Sequence, residues 1–266
     1  MTAIALTIAG SDSGGGAGIQ ADLKTFSALG VYGASVVTAL TAQNTRAVTM
    51  VEPASPAMIS AQITAVFDDL AVGAVKLGML GGPAAIRAVA QGLAGRSVPV
   101  VLDPVMIAKS GATLLPDEAI AALRDLLPHT ALLTPNLPEA ARLLDCAVAR
   151  DLEDMEVQGR ALLALGPDAV LMKGGHAEAP DCTDLLVLPE QTLRFTAPRQ
   201  QTRNTHGTGC SLSAAIAAGL AQNLPLAQAV SRAHGWLQAA IAAADRLKVG
   251  GGHGPVHHFH GIWADD

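Results

Sequence analysis

Short runs of aliphatic residues alternate with longer helical segments along most of this 266-residue chain. Each run precedes a turn and then a segment rich in alanine and leucine, an order that is typical of βαβ units. Because the runs are continuously apolar, we predict parallel strands with both faces covered by helices. The chain should therefore adopt an α/β fold, a three-layer α-β-α sandwich with a mostly parallel central sheet. The predicted strands lie within residues 3–9, 34–40, 74–80, 98–103, 130–134 and 168–173.

Two features near the C-terminus depart from this pattern. Residues 183–188 and 191–197, separated by a Pro-Glu dipeptide, should form an antiparallel hairpin at the edge of the sheet. The glycines and four histidines of residues 249–260 suggest a mobile, His-rich tail over residues 250–266, whose metal binding we expect to be adventitious. Because no long Ser/Gly/Pro linker divides the rest of the chain, we predict a single domain over residues 1–266.

Composition limits the classes of partner. The net charge is −6 and Lys and Arg are not clustered, so we expect the protein to bind neither nucleic acid nor an anionic membrane. Apolar residues make up 50% of the chain, but no uninterrupted run is long enough to span a bilayer. The N-terminal residues lack the basic region of a secretory signal, which predicts a cytoplasmic protein. Cys146, Cys182 and Cys210 have no CxxC spacing, which argues against a disulfide framework or a zinc site.

Open α/β sheets bind ligands outside the carboxyl ends of their strands, so motifs that follow the predicted strands are candidate sites. The first motif, G-S-D-S-G-G-G-A-G-I-Q-A-D at residues 10–22, could bring glycine amides close to an anion or a flat ring. It has neither the Lys-Ser/Thr pair of a Walker loop nor a clean dinucleotide fingerprint. A flexible turn that leads into a helix is an equally good interpretation of this motif.

The sequence H-G-T-G-C at residues 206–210 is more informative. Gly207, Thr208 and Gly209 place unhindered backbone N–H groups at the positive end of a predicted helix, which suits a phosphate. Cys210, in the first helical turn, should feel the same field, which favours its thiolate, although nucleotide phosphates nearby would oppose this effect. Alternatively, Cys210 is simply a small buried residue.

Two further motifs could supply charge at strand ends. Lys173, followed by two glycines, could reach a phosphate as a point charge, or could be a surface lysine in a turn. In T-P-N-L-P-E, Asn136 and Glu139 present an amide and a carboxylate on one side of a helical turn, which suits Mg²⁺ bound through water. The alternative is an N-terminal helix cap formed by the same two side chains.

Three other predicted strands end in side chains that could contact a ligand. Asp103 ends one of them and precedes a loop, residues 106–115, that is rich enough in Gly, Ser and Lys to act as a flap. Gln43 and Met79 end the other two. A carboxamide and a thioether suit a small heteroaromatic ring, the first by hydrogen bonds and the second by soft packing. Taken singly, Met79 could equally be a core residue and Gln43 a loop cap.

Seven stretches, taken in order, carry a family resemblance. They are A-G-S-D-S-G-G-G-A-G-I-Q-A-D-L-K-T, T-A-L-T-A-Q-N-T, K-L-G-M-L, D-P-V-M-I-A-K-S-G, T-P-N-L-P-E-A, M-K-G-G-H and H-G-T-G-C-S-L-S-A-A-I-A. With them the chain resembles, nearly end to end, the hydroxymethylpyrimidine/phosphomethylpyrimidine kinases of thiamine biosynthesis. These enzymes are a branch of the ribokinase-like superfamily.

The resemblance implies a homodimeric kinase that uses ATP and Mg²⁺. Its small-molecule substrates would be 4-amino-5-hydroxymethyl-2-methylpyrimidine and then the monophosphate of that alcohol. The residues implied to line the pyrimidine pocket are Gly10, Ala17, Gln43, Met79 and Val105.

The resemblance also implies roles for the charged and glycine-rich motifs. Lys173 and the loop of His206, Gly207, Thr208 and Gly209 would hold the ATP phosphates. Cys210 would occupy the position at which most ribokinase relatives carry an aspartate base. The residues implied to organise Mg²⁺ are Asp103, Asn136 and Glu139.

Two other functions fit parts of the same pattern. A pyridoxal or pyridoxine kinase would share the fold, the phosphate loop and a similar six-membered acceptor. A non-catalytic sensor that binds the pyrimidine is an alternative from another class, although the charged and glycine-rich motifs argue against it. An acceptor assay with ATP distinguishes the three.

Overall fold

The computed structural model describes residues 1–107, 115–176 and 181–263. These residues form nine strands and eight α-helices. The strands are β1 (Ile4–Asp12), β2 (Tyr32–Gln43), β3 (Val48–Pro53), β4 (Ala74–Leu77), β5 (Val100–Leu102), β6 (Leu132–Leu133), β7 (Val170–Met172), β8 (Asp181–Val187) and β9 (Thr192–Pro198). The helices are α1 (Gly18–Ala28), α2 (Pro56–Asp69), α3 (Pro83–Leu93), α4 (Glu118–Leu126), α5 (Leu137–Leu144), α6 (Leu152–Leu163), α7 (Thr208–Ala221) and α8 (Leu226–Ala242).

The described strands form one sheet in the order β3-β2-β1-β4-β5-β6-β7-β8-β9. The six strands from β2 to β7 in this order are parallel. They are the six predicted strands, so the mostly parallel sheet is confirmed. The β8–β9 hairpin is antiparallel at one edge, also as predicted.

Strand β3 was not predicted. It follows β2 directly and pairs with it antiparallel, at the opposite edge from the hairpin. Its side chains after Val48 are exposed, including Met50 and Val51. This short exposed segment lacks the buried apolar run from which we predicted the other strands. The chain after β2 therefore continues into a second strand rather than into a helix.

Side chains of the central strands alternate between two apolar cores. Leu6 and Ile8 of β1 point into the core covered by α2 to α6, whereas Ala5 points into the core covered by α1, α7 and α8. This arrangement confirms the predicted three-layer sandwich, with five helices on one face and three on the other. Among the described residues, none of the helices is both long and apolar enough to cross a membrane.

Helix α7 lies deepest in the second core. Ten of its 14 residues are buried, and most of them are alanine, serine or glycine. Their small side chains allow the helix to pack against β1, β4 and β5 as well as against α1 and α8. The packing holds the N-terminus of α7 rigidly over the carboxyl ends of the central strands.

The His-rich C-terminal segment is packed against the domain. Val256, His257 and His258 are 0%, 6% and 4% exposed, and the His257 amide donates a hydrogen bond to the Ala240 carbonyl. The ring of His257 also meets that of Trp263 edge-on, with centroids 5.3 Å apart. The structure differs here from the mobile tail that composition suggests, because the rings of His257 and His258 pack as buried side chains.

A buried ion pair lies between the sheet and α1. Lys76 of β4 donates to both carboxylate oxygens of Asp22, at 3.0 and 2.8 Å, and the Thr7 hydroxyl donates to the same carboxylate at 2.6 Å. Both ionic side chains are fully buried. Burial lowers the pKa of Lys76, but the Asp22 carboxylate outweighs it, and the pKa lies above its ordinary value.

We expect Lys76→Met to destabilise the protein by about 3–5 kcal/mol, because it leaves the Asp22 carboxylate buried without a counter-ion. The double variant Lys76→Met/Asp22→Asn should lose much less stability, since neither residue is then charged and the amide can still accept from Thr7. Urea unfolding measures both changes. Equal losses in the single and double variants would contradict this account of the pair.

Candidate active site

Most of the predicted site residues lie along the edge of the sheet that is formed by the carboxyl ends of the parallel strands, not beside the outer strands β3 and β9. Asp12 and Gln43 end β1 and β2, and Asp103 follows β5. Asn136 and Lys173 come after β6 and β7 and form a bridge between the two loops, in which the Lys173 amide donates to the Pro135 carbonyl. Since these strands are parallel, their carboxyl ends share this edge.

The carboxylate of Asp12 organises the glycine-rich loop. One oxygen accepts from the Gly14 amide at 2.8 Å, and the other accepts from the Gly16 and Ala17 amides at 3.0 and 2.9 Å. Burial raises the pKa of Asp12, but hydrogen bonds from His206 and from these amides outweigh burial, and the pKa lies below its ordinary value. Sequence reasoning assigned no role to Asp12, although an aspartate inside a glycine-rich turn is a common backbone acceptor.

His206 connects this loop to the opposite side of the site. Its Nε2 lies 3.0 Å from Asp12 Oδ2 and 3.3 Å from Gln43 Nε2. Because the ionised Asp12 can only accept, His206 donates its Nε2 hydrogen to Asp12. The Gln43 Nε2 group therefore finds no acceptor in His206 and remains available to a ligand, whereas Gln43 Oε1 accepts from the Thr41 hydroxyl at 3.1 Å. The imidazole, predicted to hold a phosphate, is turned towards the glycine-rich loop.

The residues predicted to bind phosphate form the start of α7. Gly207 has φ +80°, and a Cβ at this position would overlap the carbonyl oxygen of Gly16. Only glycine fits both this backbone conformation and this close approach. The Thr208 amide donates to the Thr205 carbonyl at 3.4 Å, which leaves the Gly209 and Cys210 amides for an anion, because the first N–H groups of a helix have no partner within it.

Lys173 faces this first turn of α7. A Cβ on Gly209 would lie 3.3 Å from Lys173 Nζ and 3.4 Å from Asp103 Oδ2. The ammonium donates to Asp103 Oδ1 at 2.7 Å and lies 3.9 Å from Glu139 Oε2. Burial lowers the pKa of Lys173, but Asp103 and Glu139 raise it above its ordinary value. The site thus holds a charged lysine directly opposite the free amides of α7.

Asn136 and Glu139 form the helix cap that the sequence left as an alternative. The Asn136 side chain accepts from the Glu139 amide, and the Glu139 carboxylate accepts from the Asn136 amide, both at 2.8 Å. Burial raises the pKa of Glu139 to about 7, with Lys173 opposing this shift and Asp103 adding to it. The carboxylate also accepts from the Met106 amide, so a ligand would share it with the cap and with this second amide.

Cys210 differs electrostatically from the expectation. Burial raises the pKa of its thiol to about 11, and the Lys76 ammonium beneath it lowers the pKa without compensating. Part of the residue surface remains open, but desolvation outweighs both the Lys76 ammonium and the hydrogen bond from the Gly18 amide. The resting thiol is therefore neutral near pH 7.

The residues predicted to line a pyrimidine pocket lie around β1 and β4. A Cβ on Gly10 would lie 2.9 Å from the Met79 methyl carbon, so glycine makes room for the thioether. The Met79 carbonyl accepts from the Thr38 hydroxyl, Ala17 precedes α1, and Val105 is half-buried after β5. Residues 108–114 of the predicted flap lie outside the described residues.

A sequence profile described as phosphomethylpyrimidine kinase matches residues 12–257. The chain belongs to the phosphomethylpyrimidine kinase family. A hydroxymethylpyrimidine/phosphomethylpyrimidine kinase from Rhizobium meliloti is 58% identical over 266 residues, which cover 100% of both chains. The predicted family is thereby confirmed.

Solved structures agree with this family and with a neighbouring one. A phosphomethylpyrimidine kinase from Clostridium difficile is 43% identical with a TM-score of 0.80, over 90% of this chain and 99% of that one. An ADP complex of Bacillus subtilis pyridoxal kinase is 35% identical with a TM-score of 0.88, over 97% and 98% of the two chains. The ribokinase-like fold of this phosphomethylpyrimidine kinase family member is thus shared with a nucleotide-bound relative.

We expect Gly207→Ala to abolish most kinase activity, because a Cβ there pushes the phosphate loop away from the Gly16 carbonyl. Gly95→Ala is the matched control, since Gly95 has φ +75° and open space around the added Cβ. The control should lose about 1–2 kcal/mol for its left-handed backbone alone and keep its activity. Unfolding and ATP-turnover measurements decide the matter, and an active Gly207→Ala enzyme would contradict the steric account.

Proposed function

We propose that the enzyme transfers the terminal phosphoryl group of ATP to 4-amino-5-hydroxymethyl-2-methylpyrimidine and then to the resulting monophosphate, a step of thiamine biosynthesis. The observation that carries this proposal is the placement of Lys173 opposite the free first-turn amides of α7. These groups suit a nucleotide phosphate, and Gln43, Met79 and Gly10 suit a small heteroaromatic ring nearby. Family membership supports the same pair of substrates.

Phosphoryl transfer needs alignment and neutralisation of charge more than covalent chemistry. The amides of Gly207 to Cys210 and the Lys173 ammonium would hold the donor phosphates, as predicted for these residues. The ring alcohol would lie with its hydroxymethyl oxygen beside Cys210. Holding both reactants in line accounts for a large part of the rate enhancement of such enzymes.

A neutral Cys210 suits two different acceptors. An alcohol must lose a proton during transfer, whereas a phosphate monoester, with a second pKa of about 6, is already largely ionised near neutral pH. A permanently charged aspartate would repel the incoming monophosphate. We propose that the small thiolate fraction of Cys210, present below its pKa of about 11, takes the proton of the alcohol in the first reaction and becomes the thiol, whereas the neutral thiol does not repel the second acceptor.

The carboxylate oxygens near Lys173 also suit Mg²⁺. Within the described ranges, no group of three His, Cys, Asp or Glu side chains forms a metal cage. Asp103 and Glu139 nevertheless converge on Lys173, and Mg²⁺ commonly binds through one or two carboxylates, water and substrate phosphates. We propose that these two residues, supported by the Asn136 cap, hold Mg²⁺, which neutralises phosphate charge when bound.

The direct test is an assay of purified enzyme with ATP and each acceptor separately. We expect Cys210→Ala to slow phosphorylation of the alcohol by about 10²–10⁴-fold, the usual contribution of a general base, and to leave the monophosphate reaction nearly unchanged. Cys146→Ala is the control, since Cys146 is exposed and lies beyond the C-terminal end of α5, whereas the site residues of that helix lie at its N-terminus. Equal losses in both reactions would assign Cys210 a positional role instead.

The same assay has a pH signature. Because kcat/KM reports the free enzyme and the thiol has a pKa of about 11, the thiolate fraction grows with pH below that value. We expect kcat/KM for the alcohol to rise roughly tenfold per pH unit above neutrality, and to be flat in Cys210→Ala. A flat wild-type profile would exclude the thiolate as the base.

Glu139 variants separate capping from Mg²⁺ binding. Glu139→Gln keeps an oxygen to accept from the Asn136 amide but removes the charge. We expect unchanged stability and about a tenfold rise in the Mg²⁺ concentration needed for half-maximal activity. Glu139→Ala should also lose about 1 kcal/mol of stability with its half of the cap. An unchanged Mg²⁺ requirement in Glu139→Gln would leave Glu139 as a helix cap alone.

Pyridoxal phosphorylation is a second candidate, favoured by the likeness to a pyridoxal kinase structure at 35% identity. Adding pyridoxal and pyridoxine to the acceptor assay tests it, and we expect the pyrimidine to be the better substrate. Family membership argues against the non-catalytic sensor, and absence of turnover with every acceptor would restore it.

We further propose that the enzyme is cytoplasmic and forms a homodimer. Leu40 of β2 and Met50 of β3 are exposed apolar side chains on the same face of the sheet edge, and they would suit an interface with a second copy. Such exposed apolar clusters are typical of interaction surfaces.

A further inference from the structure

The C-terminal strap, residues 252–260, connects the two sides of the candidate site. At its start, the Gly252 amide donates to the Thr45 hydroxyl at 3.1 Å and the His253 amide to the Thr45 carbonyl at 2.9 Å. Thr45 lies two residues after Gln43, on the loop that carries the predicted pyrimidine contact. The strap therefore begins on the side of the site where the pyrimidine is predicted to bind.

The strap then runs along the residues that precede the phosphate loop. The Gly254 amide donates to the Asn204 side chain at 3.0 Å, and the Gly254 carbonyl accepts from the His206 amide at 3.0 Å. The His206 carbonyl accepts in turn from the Val256 amide at 3.4 Å. Both backbone groups of His206 are thus bound by the strap.

A second anchor lies just beyond the loop. Ser211 Oγ and His258 Nε2 share a buried hydrogen bond of 3.0 Å, and Ser211 directly follows Cys210. Burial lowers the pKa of His258 to about 3, so the imidazole is neutral at physiological pH. The four residues that would bind phosphate, 207–210, consequently lie between two fixed points, His206 and Ser211.

We propose that the C-terminal strap positions the phosphate loop for phosphoryl transfer, with His258 as a positioning residue that acts through Ser211. This inference rests on the proposed function and deepens it. A hydrogen bond at the first turn of α7 fixes the orientation of the helix N-terminus. This orientation matters for the rate, because misplacing a reacting group by about 1 Å can lower a rate about 100-fold. His258 does not touch the predicted substrates.

His257 provides a matched control within the same strap. It is buried to nearly the same extent as His258, at 6% against 4% exposed. Its ring contacts Trp263 rather than the phosphate loop, and its Nδ1 has no hydrogen-bond partner among the described residues. Removing either ring should loosen the C-terminal packing, but only the loss of His258 should release Ser211.

The test compares His258→Ala, His258→Gln, Ser211→Ala and His257→Ala in the full chain. We expect kcat with the pyrimidine alcohol to fall about 10- to 100-fold in His258→Ala and Ser211→Ala, and to recover substantially in His258→Gln, whose amide can still bond to Ser211. His257→Ala should keep most of its kcat despite a lower melting temperature. If His258→Ala does not fold, Ser211→Ala breaks the same bond with a smaller change in volume.

Hydrogen exchange of residues 204–215 supplies a second readout that does not depend on the acceptor. We expect faster exchange in His258→Ala and Ser211→Ala than in His257→Ala. The inference is overturned if Ser211→Ala keeps wild-type kcat and exchange, or if His257→Ala loses as much kcat as His258→Ala. A wild-type enzyme without turnover of the alcohol would instead refute the proposed function, while the exchange data would still judge the strap.

Discussion

The parallel alignment of six strands is the constraint on which the rest of the structure depends. Asp12, Gln43, Asp103 and Lys173 are distant in sequence and meet only because the carboxyl ends of their strands share one edge of the sheet. After β1 the chain adds β2 and β3 on one side of the sheet, whereas from β4 onwards it adds strands on the other side. The strand order therefore reverses between β1 and β4. A crevice for ligands forms at such a reversal. The N-terminus of α7 lies over it because small side chains let that helix pack closely on β1 and β4.

The sequence was sufficient to predict the elements whose physical cause is local. A short apolar run such as Val100–Leu102, set between turns in the alternating pattern, predicts a strand buried on both faces, and the helix after Gly207 follows from its small, apolar residues. The family resemblance added roles for Lys173 and Cys210 that no single motif establishes. The structure brings Lys173 and Gly209 close together, as a shared phosphate site would require, and the substrate assays described above test both roles.

Features that depend on distant partners could not be predicted. Lys76 lies within an apolar strand run, and nothing near it in sequence reveals that Asp22 is its buried counter-ion. The pKa of Cys210 depends on how much protein surrounds the thiol and on Lys76 and Gly18, which are distant in sequence. The histidines of the C-terminal strap look like a polar tail in composition, whereas His258 is buried against Ser211. Strand β3 lies exposed at the edge of the sheet and lacks the apolar run that identified the other strands.

The two carboxylates around Lys173 have a consequence for the binding of the nucleotide and the release of the nucleotide product. In the free enzyme the ammonium of Lys173 already neutralises Asp103, at 2.7 Å, with Glu139 a little farther away. When a nucleotide and its cation enter together, the lysine would turn to the phosphate while the carboxylates receive the cation. Each ion would exchange one opposite charge for another, so neither the empty nor the occupied pocket would leave an isolated charge out of water. Such swapping of counter-ions would let the nucleotide product depart without a steep electrostatic barrier.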